Sequence, residues 1–358
     1  MRIEWSHAAD ALAGRGTELD ELALMKGSVF LSSAWMDAWT TAFGPKSRYL
    51  MAVDASDRLR AAACITPMRP IGTQSAANLE TGDWTVTGSS AEARRLVWRH
   101  LANQAGSRLR LTAVPDTAED AQAARAALSE AGYRVAARPA VENPRLQLPS
   151  SWDDLLASVS RNARSQYRRR RRALEHLGRL ELRTADADSL ESDFERFIQL
   201  EGGGWKGEAK TSIRASPQRL TLYRRFAQHA ASRGWLRLQL LELNGVTIAV
   251  ELNCAFAGGL FMMKTAYDEK FARLSPGLAL ESLTIESAIA DGLRFCDFLG
   301  MAEEHKLRWG SVVHPHVTIS AHRGPAAPVA HRYHAQLRPR LKVARSTMQA
   351  RLGRPRPP

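Results

Sequence analysis

The sequence predicts an α/β protein with mixed sheets, arranged as two tandem domains plus a basic C-terminal tail. Three observations predict it. The chain has 358 residues, and at roughly 150 residues per domain that length holds about two. Helix-like and strand-like runs alternate through both halves. Hydrophobic residues make up 44% and charged residues 24%, the composition of a chain that buries its own core without disulfides or metals.

The elements follow in order. Helix-like stretches at 32–43, 91–105 and 117–131 are separated by strand-like runs Tyr49–Val53, Leu59–Pro67, Arg108–Ala113 and Tyr133–Ala137. Residues 138–149 contain three prolines and read as an extended connector. Ser151 is placed as an N-cap, with Asp153 and Asp154 in the first turn of one long helix running to Gly178. Arg161, Arg164, Arg168, Arg171 and Arg172 fall on one side of it. A strand at Leu180–Arg183 and helices at Leu190–Leu200 and Pro217–Arg233 come next, then three strands, Trp235–Leu243, Val246–Phe256 and Leu260–Tyr267. Asn244-Gly245 is a strong hairpin signal, and Gly258-Gly259 is expected to make the following turn. A helix at Leu278–Asp291 and strands at Arg294–Leu299 and Val312–Ala321 complete the order. The domains are therefore expected at 1–149, 150–325 and, for the tail, 326–358.

Composition also narrows the function. Three scattered cysteines with no CxxC pair argue against a cysteine-based zinc or redox site and fit a reducing cytoplasm. No signal peptide and no 18-residue apolar run is visible, so the expected location is cytoplasmic. His314 and His316 share one face of the last predicted strand without a third ligand, and no metal is expected. The net charge is +13, and after Glu304 the chain has no acidic residue. Such clusters suit polyanions, or are simply solvated helix faces.

The informative stretch is a strand, a loop and a helix at 261–280. Ser275-Pro-Gly277 opens the helix, so amides at Gly277 and Leu278 stand at a positive dipole end. Pro276 fixes φ and Gly277 admits close approach of a ligand. In physical terms this is a diphosphate cradle, although most such starts are only caps.

Six segments together resemble the CelD-like, Fem-related branch of the GNAT acyltransferase superfamily. They are the arginine-rich helix, Glu201-Gly-Gly-Gly-Trp-Lys-Gly207, Lys264-Thr-Ala-Tyr-Asp268, Ser275-Pro-Gly277, Asp297-Phe-Leu-Gly300 and His305-Lys-Leu-Arg-Trp309. The usual GNAT phosphate-loop pattern is replaced by Ser275-Pro-Gly277. The resemblance covers roughly 150–311; the first 149 residues match in general character, as a degenerate or acceptor-binding GNAT-like domain. It implies two tandem GNAT-like domains and acetyl-CoA or another acyl-CoA as co-substrate, bound by Ser275, Pro276, Gly277 and Leu278. The implied acceptor is an amino sugar or another precursor of exopolysaccharide or cell envelope.

Roles follow from what acyl transfer needs: a neutral nucleophile, oxyanion stabilisation and a proton for the thiolate. Tyr267 is a candidate to protonate the leaving thiolate, or a rim aromatic. Glu251 alternates with apolar residues and is a candidate base, or half of an edge salt bridge. Asp297 is a second candidate base, or a paired buried acid. Lys306 matches the Fem-type lysine after the last core strand and would stabilise negative charge; the alternative is a surface lysine. Trp205, Lys206, Lys264, Asp268 and Arg308 are assigned to the acceptor side, with Lys264 and Asp268 alternatively pairing with each other and Trp205 alternatively plugging the core. Residues 331–358 form a basic amphipathic pattern suited to weak peripheral association with an anionic membrane, or to docking on the protein itself. Fem-type aminoacyl transfer from tRNA is the alternative enzyme reading. A non-catalytic nucleic-acid-binding protein is the alternative outside enzymes, with no RNP, KH, zinc-finger or helix-turn-helix pattern to support it.

Overall fold

The computed structural model describes residues 1–68, 72–203, 212–325 and 327–332. Trp205, Lys206 and the tail from residue 333 lie outside the described residues. Along the chain the strands are β1 (Arg2–His7), β2 (Arg48–Val53), β3 (Leu59–Pro67), β4 (Thr73–Ser75), β5 (Thr87–Gly88), β6 (Arg108–Pro115), β7 (Arg134–Pro139), β8 (Pro144–Gln147), β9 (Leu180–Thr184), β10 (Leu236–Leu243), β11 (Val246–Phe256), β12 (Gly259–Tyr267), β13 (Phe295–Asp297), β14 (Val312–Val313) and β15 (His316–His322). The helices are α1 (Ala8–Lys26), α2 (Ser33–Phe43), α3 (Ala91–Gln104), α4 (Ala123–Glu130), α5 (Trp152–Ser158), α6 (Arg161–Glu175), α7 (Leu190–Glu201), α8 (Pro217–Ser232), α9 (Pro276–Ala290), α10 (Glu304–Leu307) and α11 (Ala327–Arg332).

The fold is the expected α/β class, with two mixed sheets in two units. The units are not contiguous in sequence. One holds Met1–His7, Lys46–Ala140 and the described residues from Pro315 onward; the other holds Ala8–Pro45 and Val141–His314. Contiguous cuts at 149/150 and 325/326 miss this exchange of segments.

In the first unit the sheet runs β1-β2-β3-β4-β6-β15-β7, with β5 off β3. Its only parallel pair among the described strands is β4 with β6. Trp84, Trp98, Leu101 and Ile319 lie in its core. The predicted strand Val312–Ala321 is two strands. Pro315 interrupts it, and only β15 joins this sheet, between β6 and β7. His314 and His316 therefore share no strand face.

In the second unit the sheet runs β14-β8-β13-β12-β11-β10-β9. The predicted connector 138–149 contributes β8, which pairs with β13 and β14. The Asn244-Gly245 turn has both residues at positive φ, 52° and 78°, the backbone that joins twisted strands in a two-residue hairpin. The next turn falls one residue early, on Ala257-Gly258. Gly259 begins β12 instead, and a Cβ there would stand 2.1 Å from the Phe295 ring.

Helices α1 and α2 belong to this unit. Ser32 caps α2, accepting from the Trp35 amide. Trp35 packs edge-on against Phe30 and Phe226, and Asp37 takes Arg225 at 2.5 Å and His229 at 2.7 Å from α8. The single helix expected over 151–178 is broken. α5 ends at Ser158, Val159 is extended, and Ser160 caps α6 by accepting from Ala163.

Candidate active site

The site forms where β12 leaves β13. These parallel strands pair only at Gly259↔Phe295, Leu260↔Cys296 and Phe261↔Asp297, while β12 continues to Tyr267. Against β11, Asn253 faces Met262 and Leu252 faces Lys264, so Met263 is an inserted residue. Such a bulge bends and twists its strand, and it lies two residues past the last β12–β13 pair. Met263, Lys264 and Thr265 are accordingly half-buried and Tyr267 is exposed.

Helix α9 starts beside the end of β12. Ser275 sits in the left-handed region at φ 54° and its side chain makes no cap, a conformation costly for a residue with a Cβ. Its carbonyl accepts from the amides of Leu278 and Ala279 at 3.1 and 3.2 Å. Pro276 is buried, whereas Gly277 and Leu278 are half-buried. A Cβ on Gly277 would stand 3.3 Å from Tyr267 Cδ1 and 3.7 Å from Thr265 Cγ2. The turn thus brings Gly277 and Tyr267 together as neighbours, with Thr265 between them and the interior. A small cavity of about 30 Å³ beside Tyr267 is also lined by Thr265, Glu201 and Glu269.

Thr265 leads to the first of two interior acids. Its hydroxyl donates to Glu251 Oε1 at 3.1 Å, and Asn253 Nδ2 donates to Glu251 Oε2 at 3.2 Å. Glu251 is fully buried and makes no ion pair among the described residues. Burial, opposed by these neutral hydrogen bonds, pushes its pKa up to about 7. Among the described residues it is no edge salt bridge, and its hydrogen-bond partner Thr265 lines the small cavity beside Tyr267.

The second acid is Glu281 on α9. It accepts from Trp309 Nε1 at 2.7 Å, and its other oxygen lies 4.0 Å from His305 Nε2. Burial first, then the nearby Glu251 charge, push its pKa up to about 8 against the Trp309 hydrogen bond, Lys306 and Arg170. Trp309 stacks flat on Tyr167 at 3.9 Å. Burial and Glu281 push the Tyr167 hydroxyl up to about 12. The sequence signal for Glu281 is an acid on the apolar face of Leu278-Ala-Leu-Glu-Ser-Leu-Thr-Ile285, in register with buried Ile285 and Ala288.

Beyond β13 the chain is clamped. Lys306 Nζ donates to the carbonyls of Leu299 and Met301 at 3.0 and 3.1 Å and pairs with Glu303 at 3.2 Å. It is largely buried, not a surface lysine, and it adjoins His305. Asp297 is a paired buried acid: Arg145 donates to it at 2.8 Å and the Leu299 amide at 3.0 Å. Glu281 and His305 therefore connect the Gly277–Tyr267–Glu251 group to the Lys306 loop. Of the described acceptor-side residues, Lys264 lies on β12 beside Thr265, Asp268 follows Tyr267, and Arg308 ends the short helix α10. Lys264 Nζ lies 5.3 Å from the Tyr223 ring centroid, Asp268 accepts from the Lys270 amide, and Arg308 pairs with Glu304 at 2.6 Å.

Residues 161–307 match the family model of the acetyltransferase (GNAT) domain, and this segment carries the GNAT acyltransferase fold. Three solved structures are similar in fold. FemX has 12% identity over 88% of this chain and 96% of that one, with a TM-score of 0.60. A conserved protein of unknown function from Bacteroides thetaiotaomicron has 10% identity over 90% and 100%, with a TM-score of 0.58. L-PGS from Bacillus licheniformis has 12% identity over 86% and 96%, with a TM-score of 0.50. No curated protein matches the chain. No helix among the described residues is long and apolar enough to cross a membrane.

Proposed function

We propose that the protein is an acyl-CoA-dependent N-acyltransferase, acetyl-CoA being the simplest donor, with an amino sugar or other amine-bearing precursor of exopolysaccharide or cell envelope as acceptor. The observation that carries it is the parting of β12 from β13 beside the start of α9, with Glu251 buried behind Thr265. The CelD-like sequence blocks support the acceptor class.

The chemistry divides among the chain's own residues. The acceptor ammonium must lose one proton before its nitrogen can attack. Glu251, raised toward neutral pH, is suited to receive it through Thr265. The nitrogen then forms its bond to the thioester carbonyl carbon as the carbon–sulfur bond breaks, and Tyr267 supplies the thiolate proton and regains one from the amide nitrogen. Lys306 fixes the loop after β13 that bounds the opening. Half-buried Gly277 flanks the space assigned to the donor's diphosphate, while the Leu278 amide is engaged by the Ser275 carbonyl.

Calorimetric titration with acetyl-CoA tests the donor assignment. The expected result is binding by the natural chain and a loss of about tenfold or more in Gly277→Leu, because the side chain would enter the space beside Tyr267. Equal affinity in both proteins, or no binding by the natural chain, removes the assignment.

A second reading, Fem-type aminoacyl transfer from tRNA, is favoured by one observation: the outer face of α6 carries arginines without ion pairs among the described residues. Binding of aminoacyl-tRNA without any acetyl-CoA binding would select it.

A further inference from the structure

Arg161, Arg164, Arg168, Arg169 and Arg172, with His176, line one open groove of about 630 Å³ along α6. None of these five guanidiniums makes an ion pair among the described residues. Arg171, expected in the same stripe, turns aside and pairs with both Glu175 at 2.9 Å and Glu286 at 3.0 Å. The Nε of Arg164 is buried without an acceptor.

This face works against the helix that carries it. A helix N-terminus favours anions, yet α6 begins with Arg161, has Arg164 one turn on, and has no acidic residue in its first turn. Arg164/Arg168 and Arg168/Arg172 are like charges at i,i+4, and Arg161/Arg164 and Arg169/Arg172 at i,i+3, all repulsive spacings. The opposite face, with buried Ala163, Tyr167 and Leu174, holds the helix in place. Local conflict of this kind, with no ion pair among the described residues to offset it, marks a functional surface.

The chemistry of the face selects its partner. It spans about 16 Å at 1.5 Å per residue and is built of Arg, Ser, Ala and His alone. Its lining holds no Phe, Tyr or Trp ring on which the bases of a single-stranded nucleic acid would stack. A layer of phosphate headgroups needs no such platform, and four to eight clustered arginines or lysines on an amphipathic helix suit anionic lipid. We propose that the outer face of α6 docks the protein on an anionic phospholipid bilayer. The proposal does not depend on acyl transfer or on the tail.

Vesicle sedimentation of the full chain tests it, comparing vesicles of equal parts phosphatidylcholine and phosphatidylglycerol with vesicles of phosphatidylcholine alone. The natural chain should partition onto the anionic vesicles and leave them as salt rises from about 0.1 to 1 M, where the screening length falls from roughly 10 to 3 Å. The R161Q/R164Q/R168Q/R169Q/R172Q variant should lose about tenfold or more of that partitioning while melting at the same temperature as the natural chain or higher. If that variant does not fold, R168Q/R172Q should lose a smaller but measurable share. Unchanged partitioning in a folded variant, or equal binding to both vesicle types, overturns the proposal. So does absence of vesicle binding, or α6-dependent binding of single-stranded RNA that outcompetes the vesicles.

Discussion

Glu251 and Glu281 are carboxyls that the second unit withholds from water without giving either a lysine or arginine partner among the described residues. Both have folded pKa values above the usual carboxylate range, so the native state binds more protons than the unfolded chain between roughly pH 4.5 and 8. The contribution of these two carboxyls to stability is therefore greatest at the acid side of this window and falls as pH rises through it. The groups facing Glu281 are Glu251, His305, Tyr167, Lys306 and Arg170. Of these, half-buried His305 is itself held below its ordinary pKa by burial, with Lys306 and Arg308 adding to that. Glu281→Gln should flatten the decline in melting temperature between pH 5 and 8.5, an effect on the order of a few kcal/mol, measured by thermal denaturation across pH. An unchanged slope would place the proton uptake elsewhere. Lys306→Ala should speed proteolytic cleavage within 299–303, read by timed digestion, because three acceptors lose their donor. Residues of this kind are half legible in sequence. Glu251 stands out because it interrupts a strand, whereas Glu281 hides among helix residues whose apolar face has to be drawn before the acid looks misplaced.

At the scale of elements, propensity located most segments, and missed where a single side chain redirects the backbone. β3 and β11 coincide with their predicted spans, since β-branched and apolar alternation bounded by turn residues has few other solutions. The 151–178 region contains no internal Gly or Pro, so sequence favours one helix. The break at Val159 arises from the Ser160 cap and from Leu155, Leu156 and Val159 joining the core with Trp309. Ser160→Ala should lower stability by about 1 kcal/mol, measured by denaturant unfolding; no change would assign the break to packing alone. Helix α1 has a weak sequence pattern, because Gly14, Gly16 and non-helical Arg15 interrupt it. The Met263 bulge was likewise invisible, because it depends on the register of two strands.

At the scale of the molecule, fold class was legible from the alternation of elements, and the division into units was not. Segment exchange leaves no compositional mark: residues 8–45 read as ordinary sequence, although Phe30 and Trp35 pack on Phe261 and Phe226 of the second unit. A fragment spanning 150–325 should therefore fail to give a cooperative thermal transition, whereas the full chain shows one. A sharp transition in the fragment would show that α1 and α2 are dispensable. The same exchange bears on synthesis. β15 is an interior strand of the first sheet, flanked by β6 and β7, and a ribosome makes it only after the whole of the second unit. Until that strand clears the exit tunnel, the two flanking strands have an unfilled place between them, open to pairing with another nascent chain. Translation order thus leaves β6 and β7 unjoined until the last strand arrives, a kinetic exposure that chaperones acting on the nascent polypeptide would relieve.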